Sequence, residues 1–363
     1  MITPLLPLFL TTTLGAGAAI VGLVEGVAEA TSSILKLISG YLADRGWNTK
    51  KLVVSGYTVS NASRPLIGLA SGWSLVLVLR FLDRVGKGIR TAPRDALIAA
   101  STDEQLRGRA FGFHRALDHS GAMFGPLLAF GLLQWGMTME HVFMASIVQG
   151  TALILLLVFG LKVPHEVKRE QPAATLYWGR LDARVKGLVL TSGGLALATA
   201  PEAFLVIWAY QGGITISWVP MLWAAASGVK ALVAGPAGGL SDRFGRLRIV
   251  SIGWTTRILL LFAFAWVPAG GMSIWVLFLG YAAAMAFSEG AERALLGDFA
   301  PTDQQGTVFG VYHLLSGIMA LPGAVLFGVI WQWLGMSSAF AMAAVLTTIA
   351  TIALWVLTGR NSA

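Results

Sequence analysis

The sequence predicts an all-α membrane protein of twelve transmembrane helices in two parallel six-helix repeats, and three observations carry that prediction. The first is composition. Of 363 residues, 56% are hydrophobic and 12% charged, against roughly 25% charged in an ordinary soluble domain, and the mean hydropathy is +0.71. Trp, Phe and runs of Leu, Ala, Val and Gly recur from end to end, as in a polytopic protein rather than a soluble one with an anchor. The second is where the basic residues lie. All but six of the 26 Lys and Arg fall in short polar segments or at the C-terminus, while the connections near Gly72, Met137, Gly212, Gly270 and Gly335 carry none. Basic loops on one side and neutral loops on the other is the positive-inside pattern. The third is repetition. Gly40-x-Leu42-x-Asp44-Arg45 recurs as Gly238-x-Leu240-x-Asp242-Arg243, an offset of 198 positions. Phe111-Gly112 and Phe309-Gly310, Ala96-Leu97 and Ala294-Leu295, and Gly108 and Gly306 keep the same offset. A duplicated unit with an even number of helices enters the membrane from the same side twice, which makes the halves parallel repeats about an axis along the membrane normal.

A span needs about 20 apolar residues. On that ruler helices are expected at 1–14, 16–42, 52–70, 74–100, 108–134 and 140–161, then at 185–210, 214–241, 248–267, 272–297, 305–333 and 338–358. The first is short, because about 14 residues at ~1.5 Å each do not cross a ~30 Å core. Residue 1 corresponds to position 199 by the offset, so nothing in the first half answers to 185–198, and an upstream apolar extension is expected. The second helix ends in glycine and then places Asp44 beside Arg45 at the membrane edge. The fourth opens on the apolar run Leu75 to Leu79 and then turns charged. In the fifth, Gly121-x-x-x-Gly125-Pro126 offers glycines that let two backbones approach and a proline that bends the helix. The one long hydrophilic stretch, containing KVPHEVKREQP, separates the sets. The expected domains are therefore a six-helix bundle at 1–161, a linker at 162–184 and a second bundle at 185–363, with linker and C-terminus cytoplasmic and the protein multi-pass in the plasma membrane.

Composition also excludes functions. The basic residues do not form one patch, which argues against nucleic acid despite a formal charge of +8. The absence of Cys removes disulfides, thiolate metal sites and a cysteine nucleophile. The five His show no metal-ligand spacing and no P-loop occurs, so no metal, cofactor or enzymatic activity is expected. Asn61-Ala62-Ser63 matches a glycosylation acceptor only by accident, lying inside an apolar span.

The charges inside the spans carry the functional reading. In RFLDRVGKGIRTAPRD, from Arg80 to Asp95, the side chains of Arg80, Asp83, Arg84, Lys87, Arg90 and Arg94 fall within one sector of a helix. In a soluble protein this would be a solvated face, but these surroundings are too apolar. Glu25, Glu29 and Lys36 share a face of the second helix; Arg115, Asp118 and His119 cluster on the fifth; Glu289, Glu292 and Arg293 sit on the tenth. Arg64, Glu202, Lys230, Arg257 and His313 stand singly. A charge at the bilayer centre costs about 2.5 kcal/mol or more on insertion scales, so such residues face partners or a wet cavity. Some pair only to fix the bundle, Arg64, Arg257 and Arg293 foremost. Carboxylates in a low-dielectric cavity can take and lose a proton near neutral pH, which makes Glu25, Glu29, Asp118 and Glu289 the candidate proton carriers. Arg80, Asp83, Arg84, Lys87, Arg115, His119, Lys230 and His313 are the candidate cavity residues. Five cations against Asp83 and Asp95 on the fourth helix favour an anionic or zwitterionic solute. Tyr57, Trp208, Tyr210 and Trp218 fit an interfacial aromatic belt better than a path lining.

Gly40-Tyr41-Leu42-Ala43-Asp44-Arg45-Gly46, followed by Lys50-Lys51, resembles the loop signature between helices two and three of the major facilitator superfamily, and its second copy, GGLSDRFGRLR from Gly238 to Arg248, matches more closely. Arg80 ahead of Gly86 resembles that family's arginine motif on helix four, with a looser glycine spacing. Gly121 to Pro126 resembles its antiporter motif, with Leu128 and Ala129 in place of the trailing glycines. The resemblance spans the chain. It implies an alternating-access transporter that moves a small polar, anionic or amphipathic solute, coupled to protons, with export by antiport favoured over import and sodium as the other coupling ion. It also implies gating at Asp44, Arg45, Arg109, Gly121, Gly125, Pro126, Asp242 and Arg243. The expected partners are the solute, the coupling proton and the bilayer, with the protein a monomer. The reading of another class, a non-transporting membrane sensor or assembly partner, would have lost the buried charges or gained a soluble domain.

Overall fold

A computed structural model describes residues 2–44, 47–100, 107–161, 181–300 and 305–358. Arg45 and most of the expected linker lie outside the described residues, as do the side chains of Asp44, Arg109, Arg115 and His119. Among the described residues the fold is all helical. A turn of helix α1 (Leu6–Leu8) runs into a π-helical stretch, Phe9–Thr13. There follow α2 (Ala18–Asp44), α3 (Thr49–Leu66), α4 (Trp73–Ala100), α5 (Arg107–Gln134) and α6 (Met139–Gly160). The second half comprises α7 (Ala183–Ala198), α8 (Glu202–Gln211), α9 (Val219–Phe244), α10 (Arg246–Trp266), α11 (Met272–Phe299), α12 (Gln305–Leu334) and α13 (Met336–Thr358). Adding the offset of 198 to α2 through α6 lands on α9 through α13 within a few residues.

One expected helix is broken. The segment 185–210 reads as one apolar run, but Pro201 has no N–H to donate and disfavours helical backbone before it. Thr199 and Pro201 are extended, at ψ 124° and 138°, so α7 and α8 form two halves of one span. Tight connections elsewhere use glycine: Gly245, at φ +94°, joins α9 to α10 in a single residue, and Gly335, at φ +89°, does the same for α12 and α13.

Among the described residues, eight segments are long and apolar enough to cross a membrane. Helices α3 and α4 fall outside that group because charges lower their hydropathy, although α4 has ample length at 28 residues, and in α5 the apolar part Ser120–Gln134 is shorter. Its two faces differ. Leu75, Val78, Phe81 and Leu82 point outward, as expected for contact with lipid, while Arg80 and Asp83 are buried. Exposed Trp135, Trp266 and Trp333 mark the helix ends on the side away from the basic loops, where an aromatic belt belongs.

Within each half the packing repeats: α2 and α3 pack on α4 as α9 and α10 pack on α11, and α3 meets α6 as α10 meets α13. Between halves, α2 packs along α12 and α5 along α9, a pair of contacts that the offset exchanges. That exchange is what a two-fold axis along the membrane normal requires. At the end away from the basic loops, one buried apolar cluster takes residues from both halves, from Phe9 and Phe143 to Phe204, Trp208 and Phe340, and Phe130 meets Trp218 edge on at 5.5 Å. At the basic end, among the described residues, the buried cluster that includes Val185, Trp254, Leu296 and Leu354 comes from the second half alone.

Candidate functional site

The charged face of α4 lies where the halves part. Arg80, Arg84, Lys87, Arg90 and Arg94 line a cavity of about 350 Å³ together with Lys36 from α2 and Arg64 from α3. Asp83 and Asp118 are its acidic members. Arg94 stands six residues from the end of α4, on the order of 9 Å from the basic edge at ~1.5 Å per residue, so the cavity approaches that side.

Its deep end is a closed network. Asp83, 2% exposed as a side chain, accepts hydrogen bonds from Ser60 Oγ at 2.5 Å, Arg64 Nε at 2.9 Å and Arg80 Nη1 at 3.4 Å. Arg80 Nη2 donates to both oxygens of Glu25, at 3.2 and 3.3 Å. Three helices are thereby tied at one level. The close packing that permits it is glycine's work, since a Cβ on Gly86 would meet the backbone of α3 at Ser60 N, 2.6 Å away. Nearer the basic end, Arg90 lies over the Tyr57 ring at 3.9 Å. Arg94 pairs with Asp95 at 3.0 Å and approaches Asp118 at 3.9 Å, and Asp118 also faces His114 at 3.5 Å. Between these levels, exposed Glu29 on α2 interacts with Lys87, Arg84, Lys36 and Arg80.

The second half carries a different set. Lys230 on α9 pairs with Glu202 at the start of α8, beside a small pocket lined by Trp223, Ser227 and Tyr281. Arg257 is buried on α10 and donates to Thr199 Oγ1 at 2.8 Å, so it braces the break between α7 and α8. On α11, Glu289 is half exposed and held by Arg293 at 2.5 Å. Glu292, 7% exposed, accepts from Tyr312 OH at 3.3 Å and has the Trp254 indole and the Arg257 guanidinium as its other polar neighbours. Of the two carboxylates Glu292 is the more buried, while sequence reasoning named Glu289. One signal could have found it: Glu292 lies four residues from Ser288 and Leu296, on the buried face of α11.

The structure therefore brings Arg80, Asp83, Arg84, Lys87 and Asp118 to one cavity and places Glu25 and Glu29 beside it. Lys230 belongs to the separate pocket, and His313 is exposed on α12 with its ring 5.0 Å from that of Tyr312. In the second loop signature, Asp242 faces Arg246 at 3.7 Å within its own turn. The tie to the neighbouring helix is made by Arg246, which pairs with Asp298 and donates to the Ala294 carbonyl at 2.8 Å. Arg243 is exposed, 5.8 Å from the Phe244 ring. Pro126 is buried inside α5 and Gly125 half buried, but a Cβ at Gly121 would meet nothing within 4 Å. Close backbone approach occurs instead between α2 and α12, where Gly22 and Gly26 face Ala324 and Leu321. The four aromatic residues divide: Tyr57 lies under Arg90, Trp208 is fully buried in the core, Tyr210 is half buried, and Trp218 packs on Phe130. Asn61 and Ser63 are buried in α3, as an accidental acceptor triplet should be.

Comparison with known proteins agrees with this architecture. The family model described as Major Facilitator Superfamily matches residues 1–321. An uncharacterised MFS-type transporter of Methanocaldococcus jannaschii is 30% identical over 341 residues, covering 92% of this chain and 84% of the relative. The multidrug resistance protein MdtH of Salmonella is 29% identical over 135 residues, 37% of this chain and 33% of its own. Among solved structures, a bacterial homologue of the human lysosomal transporter Spinster, inward-facing and occupied, superposes with a TM-score of 0.78 at 17% identity, covering 99% of this chain and 92% of that one. The nucleoside transporter NupG gives 0.80 at 12% identity, covering 98% and 94%.

Proposed function

The chain belongs to the Major Facilitator Superfamily, and on that premise we propose that it is a secondary active transporter that exports a small anionic solute across the cytoplasmic membrane in exchange for protons. The observation that carries the reading is the cavity on α4, lined by seven cations and two carboxylates with Glu25, Glu29 and Asp95 beside it, at the end where the described residues form no core shared by the halves. Such a surplus inside a membrane is tolerated only with water or an anionic occupant. Proton coupling is supported by carboxylates in two settings: Glu25 and Glu29 beside the cavity cations, and Glu292 buried in the second half. Relative motion of the halves about the α2–α12 and α5–α9 contacts would expose the cavity to either side in turn. Export is supported by the antiporter-like Gly121 to Pro126 and by the partial similarity to MdtH. The protein is read as a monomer with its basic loops in the cytoplasm, and the divisions at 161 and 185 as the limits of the two bundles.

The test is flux in proteoliposomes with an imposed pH gradient, using labelled anionic, zwitterionic and cationic solutes. The expected outcome is gradient-driven movement of anions, with a change in the signal of a trapped pH indicator on solute addition. Equal transport of cations, or flux indifferent to the pH gradient, would overturn the anion or the proton part respectively.

A further inference from the structure

The seven cavity cations are not equally engaged. Arg80 is spent on Glu25 and Asp83, Arg64 on Asp83, and Arg94 on Asp95. Arg84 reaches its nearest carboxylate oxygen, on Asp83, only at 3.9 Å. Lys87 has as its electrostatic neighbours Arg84, Glu29, Lys36 and Arg80. Arg84, Lys87 and Lys36 all have Glu29 as a carboxylate neighbour, and Arg84 has Asp83 and Glu25 besides. Seven lining cations against Asp83, Asp118 and the neighbouring Glu25, Glu29 and Asp95 leave two positive charges in surplus. A second observation points the same way. Arg80, Arg84 and Arg90 each hold a buried Nε–H with no acceptor, all along the wall of this one cavity. Buried donors are paired in about 90% of cases or more, so three orphans around one opening describe a place that lacks an acceptor-rich group.

We propose that the cargo is a small organic molecule bearing a phosphate monoester, whose dianion sits among Arg84, Lys87 and Lys36, with its organic part along the wall toward Tyr57 and Arg90. The inference rests on the transporter reading and narrows its anion. A phosphate monoester concentrates close to two charges and three acceptor oxygens on one group at neutral pH, which matches that surplus. Guanidinium forks suit its oxygens, and lysine serves as a point charge. A dicarboxylate separates its two charges over two groups, whereas Arg84 and Lys87 stand one turn apart on α4. A cavity of about 350 Å³ falls within the range of small-molecule sites, ~300–1,000 Å³, and leaves room for more than the phosphoryl group.

The experiment compares phenyl phosphate with its isostere phenyl sulfate, a monoanion at every pH used, and with succinate. Binding to the purified full chain is measured by calorimetry at pH 7.5 and pH 5. The expected result is phenyl phosphate at least tenfold tighter than phenyl sulfate at pH 7.5, the gap narrowing at pH 5 because the monoester's second pKa is about 6. Arg84→Gln and Lys87→Gln should each weaken phenyl phosphate about tenfold and phenyl sulfate less. Arg84→Lys, which keeps the charge and loses the Nε donor, should fall between and serves where the glutamine variant does not fold. Phenyl sulfate or succinate binding as tightly as phenyl phosphate overturns the proposal, as does a wild-type affinity in Arg84→Lys and Lys87→Gln together. A parallel counterflow assay separates the two readings. Binding without any solute crossing the membrane would sink the transporter and leave the site; crossing with no phosphate preference would do the reverse.

Discussion

Asp83 receives three hydrogen bonds and stands between three arginines in a setting where an unpaired charge is costly. Removing Arg80 leaves Glu25 without its partner and Asp83 short of one. Breaking a buried ion pair from one side costs about 3–5 kcal/mol, so Arg80→Ala should lower the unfolding temperature in detergent sharply, and Arg80→Ala with Glu25→Gln should recover part of the loss. A double variant as damaged as the single one would show that Glu25 is not Arg80's working partner. On the second half, Glu292→Gln keeps an acceptor for Tyr312 and should leave stability nearly unchanged while abolishing solute-driven proton movement in vesicles. Glu289→Gln should retain that movement; the opposite pattern would return the coupling role to the exposed residue. The two halves differ in how legible they were. The α4 charges were readable because a helical period and an apolar background fix which side they share. Glu292 was not distinguished from Glu289, since three residues apart on a helix both fit a polar face until the packing of Tyr312 and Trp254 sorts them.

At the scale of elements, helix extent followed from apolar length and the repeat, while helix continuity did not. The break at Thr199 to Pro201 had its signal in Pro201, but a proline in an apolar run bends some helices and interrupts others. Arg257 donating to Thr199 favours interruption here. The site of closest approach was likewise misjudged from glycine content alone. Gly121 and Gly22 look alike in sequence, yet only Gly22 faces another backbone, because α2 crosses α12 where the halves share a core while Gly121 lies where they part. Overpacking of that kind costs about 1–3 kcal/mol, and replacing a helical glycine by alanine otherwise gains up to about 1 kcal/mol. Gly22→Ala should therefore lower the unfolding temperature and Gly121→Ala leave it level or raise it. A destabilised Gly121→Ala would mean that α5 is tightly packed there after all.

For the whole molecule the decisive property is which end is open, and the asymmetry of the buried clusters answers it. Apolar side chains from both halves fuse at the end away from the basic loops, and at the basic end the second half closes on itself. With that arrangement, water is expected to reach the α4 cavity from the basic side. Because the native chain contains no Cys, a single introduced thiol reports this directly. Thr91 lines the cavity, and Ser337 is exposed at the start of α13, on the opposite side. In vesicles of known orientation, an impermeant maleimide should label Thr91→Cys from the side of the basic loops and Ser337→Cys from the other. Phenyl phosphate should slow the first reaction and not the second. Labelling of Thr91→Cys from the Ser337 side alone would place the opening at the wrong end. Labelling from both sides, with a ratio that shifts with the pH gradient, is what alternating access demands once the second conformation is populated.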